Sequence, residues 1–567
     1  MAKQDKIRKL LRQIYGTEGD QAYDRIDRLM REFPAREPKK TGFFSEADVV
    51  LITYGDSLNR SNEKPIKTLH QFAKTYLQGL FSAIHFLPFF PFSSDDGFSV
   101  IDFNAIDADL GTWDDVKAIQ GDFDLMFDLV LNHISARSDW FARYLKGEAG
   151  FKDLAIEVDR DKDTRSVVRP RALPLLTEFS KADGTRVKVW TTFSDDQIDL
   201  NYKSIDVLEL MIAVLLLYVR QGADFLRLDA IAYLWKELGT TCIHLPQTHD
   251  VVKLMRSILD VVAPDVILIT ETNVPHPENI SYFGDGTDEA QMVYNFTLPP
   301  LLLYTLIKGD ATDLTQWAGG LELPSPTNTF FNFTASHDGI GVRPLEGILP
   351  PEALVELVQV VTANGGRVSY KHDSDGAKSP YELNITYVDA LLAKGRQDDP
   401  LQAQRFMASQ AIQYSLPGVP ATYIHSLLGS HNWERGVRQT GRARSINREK
   451  LHVEEVDREL KDPDSLRSRI FGMYLDMIRI RTKQPAFHPK AGFRVLEIGP
   501  QVFAIARYGI DQTLYALTNV TAQERVVDLS ESEGFAVLED LIAGQRFNPE
   551  AIRLKPYQYV WLCRMAE

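Results

Sequence analysis

The sequence predicts an α/β fold, a (β/α)8 TIM barrel with its functional residues at one face. Four apolar runs typical of buried strands end in acid, imidazole or amide groups, and helix-sized segments separate them. In such barrels the segments that follow the carboxyl ends of the strands meet at one face, where active sites lie. Core packing alone does not explain this pattern. The four runs are residues 127–133, 222–230, 266–271 and 330–339.

The run at 222–230 holds two charged residues, Arg227 and Asp229, inside an otherwise apolar strand. Two residues apart on a strand, their side chains share one face. A buried charged pair is costly unless its members satisfy each other, and such pairs are often retained for function. Taken alone, the pair fits a structural ion pair at a strand end equally well. The other three runs favour a functional role.

Length and charge limit the function classes. A chain of 567 residues exceeds one ordinary domain, and its 44% hydrophobic and 25% charged residues are typical of a soluble globular protein. The net charge of −15 disfavours nucleic acid and membranes as partners. A phosphate or carboxylate ligand therefore requires locally placed Arg or Lys.

The sequence predicts a cytoplasmic location. Cys242 and Cys563 are the two cysteines, which argues against a disulfide framework and fits a reducing compartment. Residues 1–10 lack the apolar core of a secretion signal. The longest uncharged apolar run, 210–219, is about half of the ~20 residues that a membrane span needs, so it predicts a buried helix. We expect a monomer or a homodimer.

Taken in order, the chain shows helical periodicity over 7–33 and then the alternation of strands and helices expected of a barrel. Further strands are predicted at 49–54, 83–88, within 282–295 and around 421–424, and the third extends over 124–131. Helices are predicted at 69–81, 207–220, 251–262 and 402–414.

Two long interruptions of the strand–helix alternation, and a change to short alternating segments near residue 492, predict further domains. A long segment after the third strand is uncommon as a mere connection and is usually functional. Short alternating segments with turn signals predict a small antiparallel β-domain at the carboxyl end. The predicted division is 1–135, first part of the barrel with N-terminal helices; 136–196, inserted subdomain; 197–338, barrel; 339–381, second insertion; 382–490, end of the barrel; and 491–567, β-domain.

The strand-end motifs resemble those of the α-amylase-type glycoside hydrolase superfamily. They are D-x-x-x-N-H at Asp128, Asn132 and His133, R-x-D-A at Arg227, Asp229 and Ala230, the strand end at Glu271, and the pair His337 and Asp338. A closer resemblance, which covers nearly the whole chain, is to the sucrose-phosphorylase-like branch and especially to the glucosylglycerate phosphorylases. The segments that carry it are 93–102, 190–202, 239–249, 271–276 and 445–448.

The resemblance implies a retaining mechanism with a carboxylate pair, one nucleophile and one acid/base. It makes Asp229 the nucleophile, Glu271 the general acid/base and Asp338 the stabiliser of the transition state. We expect Arg227 to keep Asp229 ionised, because a nearby opposite charge lowers the pKa of a carboxyl group. The apolar strand before Glu271 should help to hold that residue protonated.

The resemblance also implies a pocket for one terminal glucose. Asp95 and Arg448 match a pair that closes its far end. The other predicted pocket residues are Phe98 and Phe193 as aromatic walls, Gln197 as a polar contact, His133 and His337 as donors to sugar hydroxyls, and Tyr233 and His244 beside the acceptor. Taken singly, Asp95 also fits an ordinary turn, the two phenylalanines fit core positions, and His337 fits a hydrogen-bonded histidine at a strand end.

The acceptor distinguishes a phosphorylase from a hydrolase, since phosphate needs cationic or N–H donors. Arg171 matches the family position that lines the phosphate site. Sucrose phosphorylases of this branch commonly carry His where Asn273 stands, so Asn273 favours the glucosylglycerate type. Lys371 or Arg367 is a candidate partner for a glycerate carboxylate. The spacing of His244 and His249 fits no usual metal motif.

The sequence therefore predicts a retaining glycoside phosphorylase that uses inorganic phosphate and a small glucoside, with no cofactor and no metal. The expected reaction is reversible phosphorolysis of 2-O-α-D-glucosyl-D-glycerate to α-D-glucose 1-phosphate and D-glycerate. A sucrose or glucosylglycerol phosphorylase with the same catalytic residues is the first alternative. A catalytically silent, amylase-like binding protein is the second.

Overall fold

Eight parallel strands close into a barrel, as the sequence predicts. The computed structural model describes residues 3–564 except 35, 37, 40–41, 160, 172, 373–377, 394–398 and 531–536. Each barrel strand pairs with the next along the chain, and the eighth pairs with the first. In chain order the strands are β1 Val50–Thr53, β2 Ala83–Phe86, β3 Asp124–Leu129, β4 Ala223–Leu228, β5 Ile267–Thr270, β6 Met292–Tyr294, β7 Thr329–Asn332 and β8 Val419–Tyr423.

The strands are continuously apolar because both of their faces are covered. Every residue of β4 is buried, and so is every residue of β1, β5 and β8. Helices pack on the outside of the barrel, and most lie in the segment that connects one strand to the next. They are Pro65–Tyr76, Trp113–Gln120, Ile205–Arg220, Pro246–Val262, Leu298–Lys308, Thr312–Gly319, Gln402–Ser415 and Leu466–Arg481.

The predicted amino-terminal helical region is divided into two α-helices, Lys3–Tyr15 and Gly19–Glu32, by a short 3-10 turn. The first packs on helix Pro246–Val262, and the second on helix Ile205–Arg220. Their buried faces recur at helical spacing, with Ile7, Leu10 and Leu11 on the first.

The segment between β3 and β4 contains its own small elements. Helix Asp139–Leu145 is followed by a hairpin of Leu176–Ser180 and Arg186–Trp190. Strands His133–Ser135 and Gln197–Asp199 pair antiparallel, so the segment leaves the barrel and returns to it side by side. This pairing lays its two ends against the carboxyl end of β3.

The segment after β7 contains a helix that the sequence analysis did not predict, Pro351–Ala363. Ala353, Leu357 and Val361 are buried at intervals of four residues, and a proline stands in its first turn, where its missing N–H costs nothing. A hairpin of Arg367–His372 and Lys378–Asn384 follows and pairs with Ile340–Gly341.

The carboxyl-terminal region forms an antiparallel sheet, as predicted, with a core of its own. Its six strands are Gly492–Leu496, Val502–Gly509, Gln512–Asn519, Leu538–Asp540, Arg546–Phe547 and Tyr559–Arg564. The shorter elements are strands Leu58–Asn59, Leu451–His452, Arg525–Val527 and Ile552–Leu554, and helices His276–Ile280, Tyr387–Ala390, Ile424–Leu427, Glu434–Thr440 and Val453–Leu460. Among the described residues, no helix is both long and apolar enough to span a bilayer.

Candidate active site

A cavity of about 80 Å³ opens where the barrel strands end, several times the volume that one water needs. The three predicted catalytic carboxylates line it together, although they come from the ends of three different strands. Most of the predicted pocket residues line it with them. The structure brings together Asp95, Phe98, His133, Arg171, Phe193, Gln197, Asp229, Glu271, Asn273, His337 and Asp338.

Two of the carboxylates are held by one buried guanidinium. Arg227 is 2% exposed; its Nη1 lies 2.8 Å from Oδ1 of Asp229, and its Nη2 lies 3.9 Å from Oε2 of Glu271. It also pairs with Asp128 on the neighbouring strand. Ala230 has a left-handed backbone, φ 50°, and its N–H donates to Oε2 of Glu271 at 2.9 Å. Such strain in a residue other than glycine is typical of functional sites.

Burial raises the pKa of both Asp229 and Glu271, although Arg227 opposes the rise in each. Glu271 raises the pKa of Asp229 further, because two nearby carboxyl groups resist ionising together. Arg227 therefore does not outweigh burial at Asp229, contrary to our expectation. Each carboxyl group therefore keeps its proton to a higher pH than an isolated carboxyl group does. The shorter contact of Arg227 with Asp229 favours the charge there and the proton on Glu271.

Asp338 has the opposite environment. Burial alone would raise its pKa, but Arg444, His337 and Arg448 together hold that pKa below its usual range. Nη1 of Arg444 lies 2.6 Å from Oδ1 of Asp338. Asp338 is thus an ionised carboxylate, as a group that stabilises positive charge requires.

Neutral histidines and aromatic rings form the wall of the cavity. Nε2 of His133 donates to the carbonyl oxygen of Phe98 at 2.9 Å and lies 3.1 Å from Nε2 of Gln197. Burial lowers the pKa of His133 to about 4 and that of His337 to about 3. The His337 ring stacks on Phe98 at a centroid distance of 4.6 Å, and Phe193 lies 5.2 Å from His133.

Asp95 and Arg448, predicted to close the far end of the pocket together, do not contact each other. Arg448 pairs with Asp96, whereas Asp95 lies 3.0 Å from Nη2 of Arg171. Both aspartates have positive φ, 55° and 49°, so the chain turns sharply and directs adjacent carboxylates to different arginines. Arg171, predicted to line the phosphate site, is therefore engaged by a carboxylate at the edge of the cavity.

Six residues predicted for the site do not line this cavity. Arg227 lies behind the carboxylates, and Tyr233 packs edge-on against Phe193 at 5.5 Å. Arg448 faces an adjoining cavity. Nζ of Lys371 is 3.8 Å from Glu346.

The other two acceptor-side candidates also have partners of their own outside the cavity. Arg367 pairs with Glu434 at 3.0 Å. His244 lies 2.9 Å from the hydroxyl of Tyr282 and 3.2 Å from Glu278.

Several lining residues were not predicted from the sequence. They are Pro170, Ala230, Phe296, Gly339, Tyr381, Glu382 and Arg444. Arg444 donates to Glu382 and contacts Asp338, so it links the second insertion to the catalytic group. Its position, immediately before the segment 445–448 that carries the family resemblance, was the signal that could have revealed it.

No cluster of three or more His, Cys, Asp or Glu is arranged to hold a metal ion in the described part of the chain. His249 lies 2.9 Å from Glu289 and stacks on Tyr282. His244 and His249 are thus each satisfied by a neighbouring acid.

Comparisons with known proteins identify the family of the chain. Residues 53–317 match the family model for the alpha amylase catalytic domain. The solved structure of sucrose 6F-phosphate phosphorylase from Thermoanaerobacter thermosaccharolyticum superposes with a TM-score of 0.74 and 26% identity, covering 90% of this chain and 98% of that one.

Curated relatives are similar over almost the whole chain. A glucosylglycerate phosphorylase of Spirochaeta thermophila is 50% identical over 531 residues, 92% of this chain and 90% of that protein. One of Escherichia coli is 45% identical over 563 residues, 98% and 99% of the two. The chain therefore belongs to the α-amylase family. Within that family its place is the sucrose phosphorylase branch.

Proposed function

We propose that the protein is a glucosylglycerate phosphorylase that converts 2-O-α-D-glucosyl-D-glycerate and phosphate reversibly to α-D-glucose 1-phosphate and D-glycerate. The sequence identity of 45–50% to relatives of that name, over nine tenths or more of both chains, carries this proposal. A relative named glucosylglycerol phosphorylase is 30% identical over 77% of this chain, and one named sucrose phosphorylase is 33% identical over 78%.

In the first half-reaction Asp229 attacks the anomeric carbon while Glu271 gives its proton to the departing glycerate oxygen. The C–O bond to glycerate breaks as the bond to Asp229 forms, which inverts the anomeric centre and leaves a β-glucosyl ester. The raised pKa of Glu271 keeps that proton available. Ionised Asp338 stabilises the positive charge that develops on the ring.

In the second half-reaction phosphate attacks the glucosyl ester on the face that glycerate left. Glu271, now a base, takes the proton of the attacking phosphate oxygen, and the second inversion restores the α-configuration. Arg171 is our candidate for orienting the phosphate, since a guanidinium matches an oxyanion with two parallel donors. To do so it must exchange its contact with Asp95 for the phosphate.

Asn273 is our candidate for holding the acceptor. It lines the cavity, and its buried Oδ1 has no hydrogen-bond partner within the described residues. An unsatisfied buried acceptor costs free energy until a ligand donor reaches it. A hydroxyl of glycerate supplies that donor. The partners that Lys371 and Arg367 already have make either a weaker candidate for the carboxylate.

Substrate profiling tests the acceptor. The enzyme is incubated with phosphate and, in turn, glucosylglycerate, glucosylglycerol and sucrose, and glucose 1-phosphate is measured. We expect kcat/KM for glucosylglycerate to exceed the other two. Sucrose as the best substrate would reject the specificity but leave the phosphorylase mechanism intact.

The alternative that the chain is a catalytically silent binding protein is tested by Asp229→Asn. Loss of the nucleophile should lower turnover by about 10⁴-fold or more. A chain whose phosphorolysis is unchanged by Asp229→Asn does not use this carboxylate.

We further propose that the enzyme is cytoplasmic and exists as a monomer or a homodimer. Light scattering after size-exclusion chromatography gives the mass of the particle in solution, to be compared with 64.2 kDa for one chain.

A further inference from the structure

An outer chamber of about 360 Å³ adjoins the active-site cavity. Its walls include Arg171, Arg442, Arg444 and Arg448, and it shares Arg171, Glu382 and Arg444 with the inner cavity. The two spaces are therefore neighbours with a common wall. Four arginines around one chamber contrast with a chain whose net charge is −15.

Three of these arginines already have carboxylate partners in the empty enzyme. Arg171 contacts Asp95 at 3.0 Å, Arg444 contacts Asp338 at 2.6 Å, and Arg448 pairs with Asp96. The charge of each is thus largely balanced by a carboxylate before any anion arrives. These three arginines are therefore poorly suited to make the first contact with an anion.

Arg442 is different. Its side chain is exposed, and its guanidinium makes no ion pair or hydrogen bond within the part of the chain that the structure describes. It stands on the loop after helix Glu434–Thr440, two residues before Arg444. It is thus a charge that is ready to meet an anion without breaking another contact.

We propose that the outer chamber is a recruiting site for small oxyanions, in which Arg442 makes the first contact with an anion bound for the inner cavity. This inference rests on the proposed function, because phosphate and glycerate are both anions. The negative charge of the whole chain repels both of them, and a local positive charge that no carboxylate balances attracts them and raises the encounter rate. The guanidinium suits phosphate and carboxylate alike.

Arg442→Gln and Arg442→Glu test the proposal. With α-D-glucosyl fluoride as a saturating donor, the kcat/KM for phosphate should fall about fivefold in the first variant and about 25-fold in the second, as expected for a dianion about 7 Å from the lost charge. These losses should shrink as salt is added. The donor is uncharged and carries no glycerate, so the measurement does not depend on the natural acceptor.

Two comparisons complete the test. The kcat/KM for glucosyl fluoride itself reports on the transfer of glucose to the enzyme. Phosphate takes no part in that step, so this kcat/KM should change less than twofold. The control Arg438→Gln removes an exposed charge from the adjoining helix Glu434–Thr440, outside the chamber, and should leave the kcat/KM for phosphate within twofold.

The outcomes separate cleanly. Equal losses in Arg438→Gln and Arg442→Gln, or a loss that is insensitive to salt, would overturn the recruiting role. A wild-type enzyme that uses phosphate and glucosyl fluoride but not glucosylglycerate would refute the proposed acceptor and leave the outer chamber as inferred.

Discussion

At the scale of single residues, the site divides its carboxylates by their surroundings. Asp338 lies among arginines, which lower its pKa, whereas burial raises the pKa of Asp229 and of Glu271, which share a single guanidinium. In the proposed mechanism the same type of side chain serves as anion, nucleophile and acid within one cavity. Environments that push pKa values apart are what assign such roles.

Glu271→Gln separates acid catalysis from the rest of the mechanism. Glycerate leaves as a poor leaving group that needs a proton, whereas fluoride does not. We expect kcat/KM for glucosylglycerate to fall about 10³-fold, and kcat/KM for α-glucosyl fluoride to fall less than tenfold. Comparable losses on both donors would mean that Glu271 acts in some way other than as the acid.

The pH dependence should follow the same logic. The raised pKa of Glu271 extends the pH range over which it keeps its proton, and the proton is lost as pH rises through that pKa. The kcat/KM for glucosylglycerate should therefore fall on the alkaline side, while that for glucosyl fluoride keeps its value there. Matching alkaline limbs for the two donors would assign the titration to another group.

At the scale of elements, a buried ammonium joins the inserted segment to the barrel. Nζ of Lys236 lies 2.6 Å from Asp199 and 2.6 Å from Asn132. Asp199 also accepts the N–H of Thr192 at 2.7 Å. Each of these partners is close in sequence to a residue of the cavity wall: Asn132 precedes His133, Thr192 precedes Phe193, and Asp199 follows Gln197 by two positions.

Lys236→Met should destabilise the protein by about 3–5 kcal/mol, because it leaves the carboxylate of Asp199 buried and unpaired. Lys203→Met is a matched control: Lys203 lies at the same 2.6 Å from Glu237, but its side chain is 49% exposed, so the loss should be under about 1 kcal/mol. Unfolding in urea measures both. Equal losses would show that burial of the Lys236 pair adds nothing.

The barrel could be predicted from sequence because its strands are short apolar runs with functional groups at their ends. The helix Pro351–Ala363 was missed because glycine and aspartate signals around it favoured a loop, although its buried residues recur at helical spacing. The choice between Asp95 and Asp96 as partner of Arg448 depends on the path of one turn. Residues such as Phe296 and Tyr381 reach the cavity only through folding of distant segments.

At the scale of the whole molecule, the burial of Asp229 lowers the stability of the folded protein. The ordinary pKa of Asp is about 4. Burial raises the pKa of Asp229 to about 8, so between about pH 4 and that value this side chain binds more protons in the folded state than in the unfolded one, and its contribution to stability falls as pH rises. The barrel is thus expected to be less stable than a variant that lacks this charge.

Asp229→Asn should accordingly raise the midpoint of thermal unfolding at pH 8, by about 2 °C, and by less at pH 5. Calorimetry at the two pH values measures the difference. Asp153→Asn, which removes an exposed carboxylate outside the cavity, should leave the midpoint unchanged at both. A lower midpoint for Asp229→Asn at pH 8 would show that the contact with Arg227 outweighs burial.

The burial of Asp229 also bears on the order of events in the catalytic cycle. In the proposed mechanism, esterification to glucose turns this largely buried carboxylate into an uncharged group. The glucose-loaded enzyme should therefore melt at a higher temperature than the resting one. A glucosyl-enzyme that is more stable than the resting enzyme should then persist until phosphate attacks it.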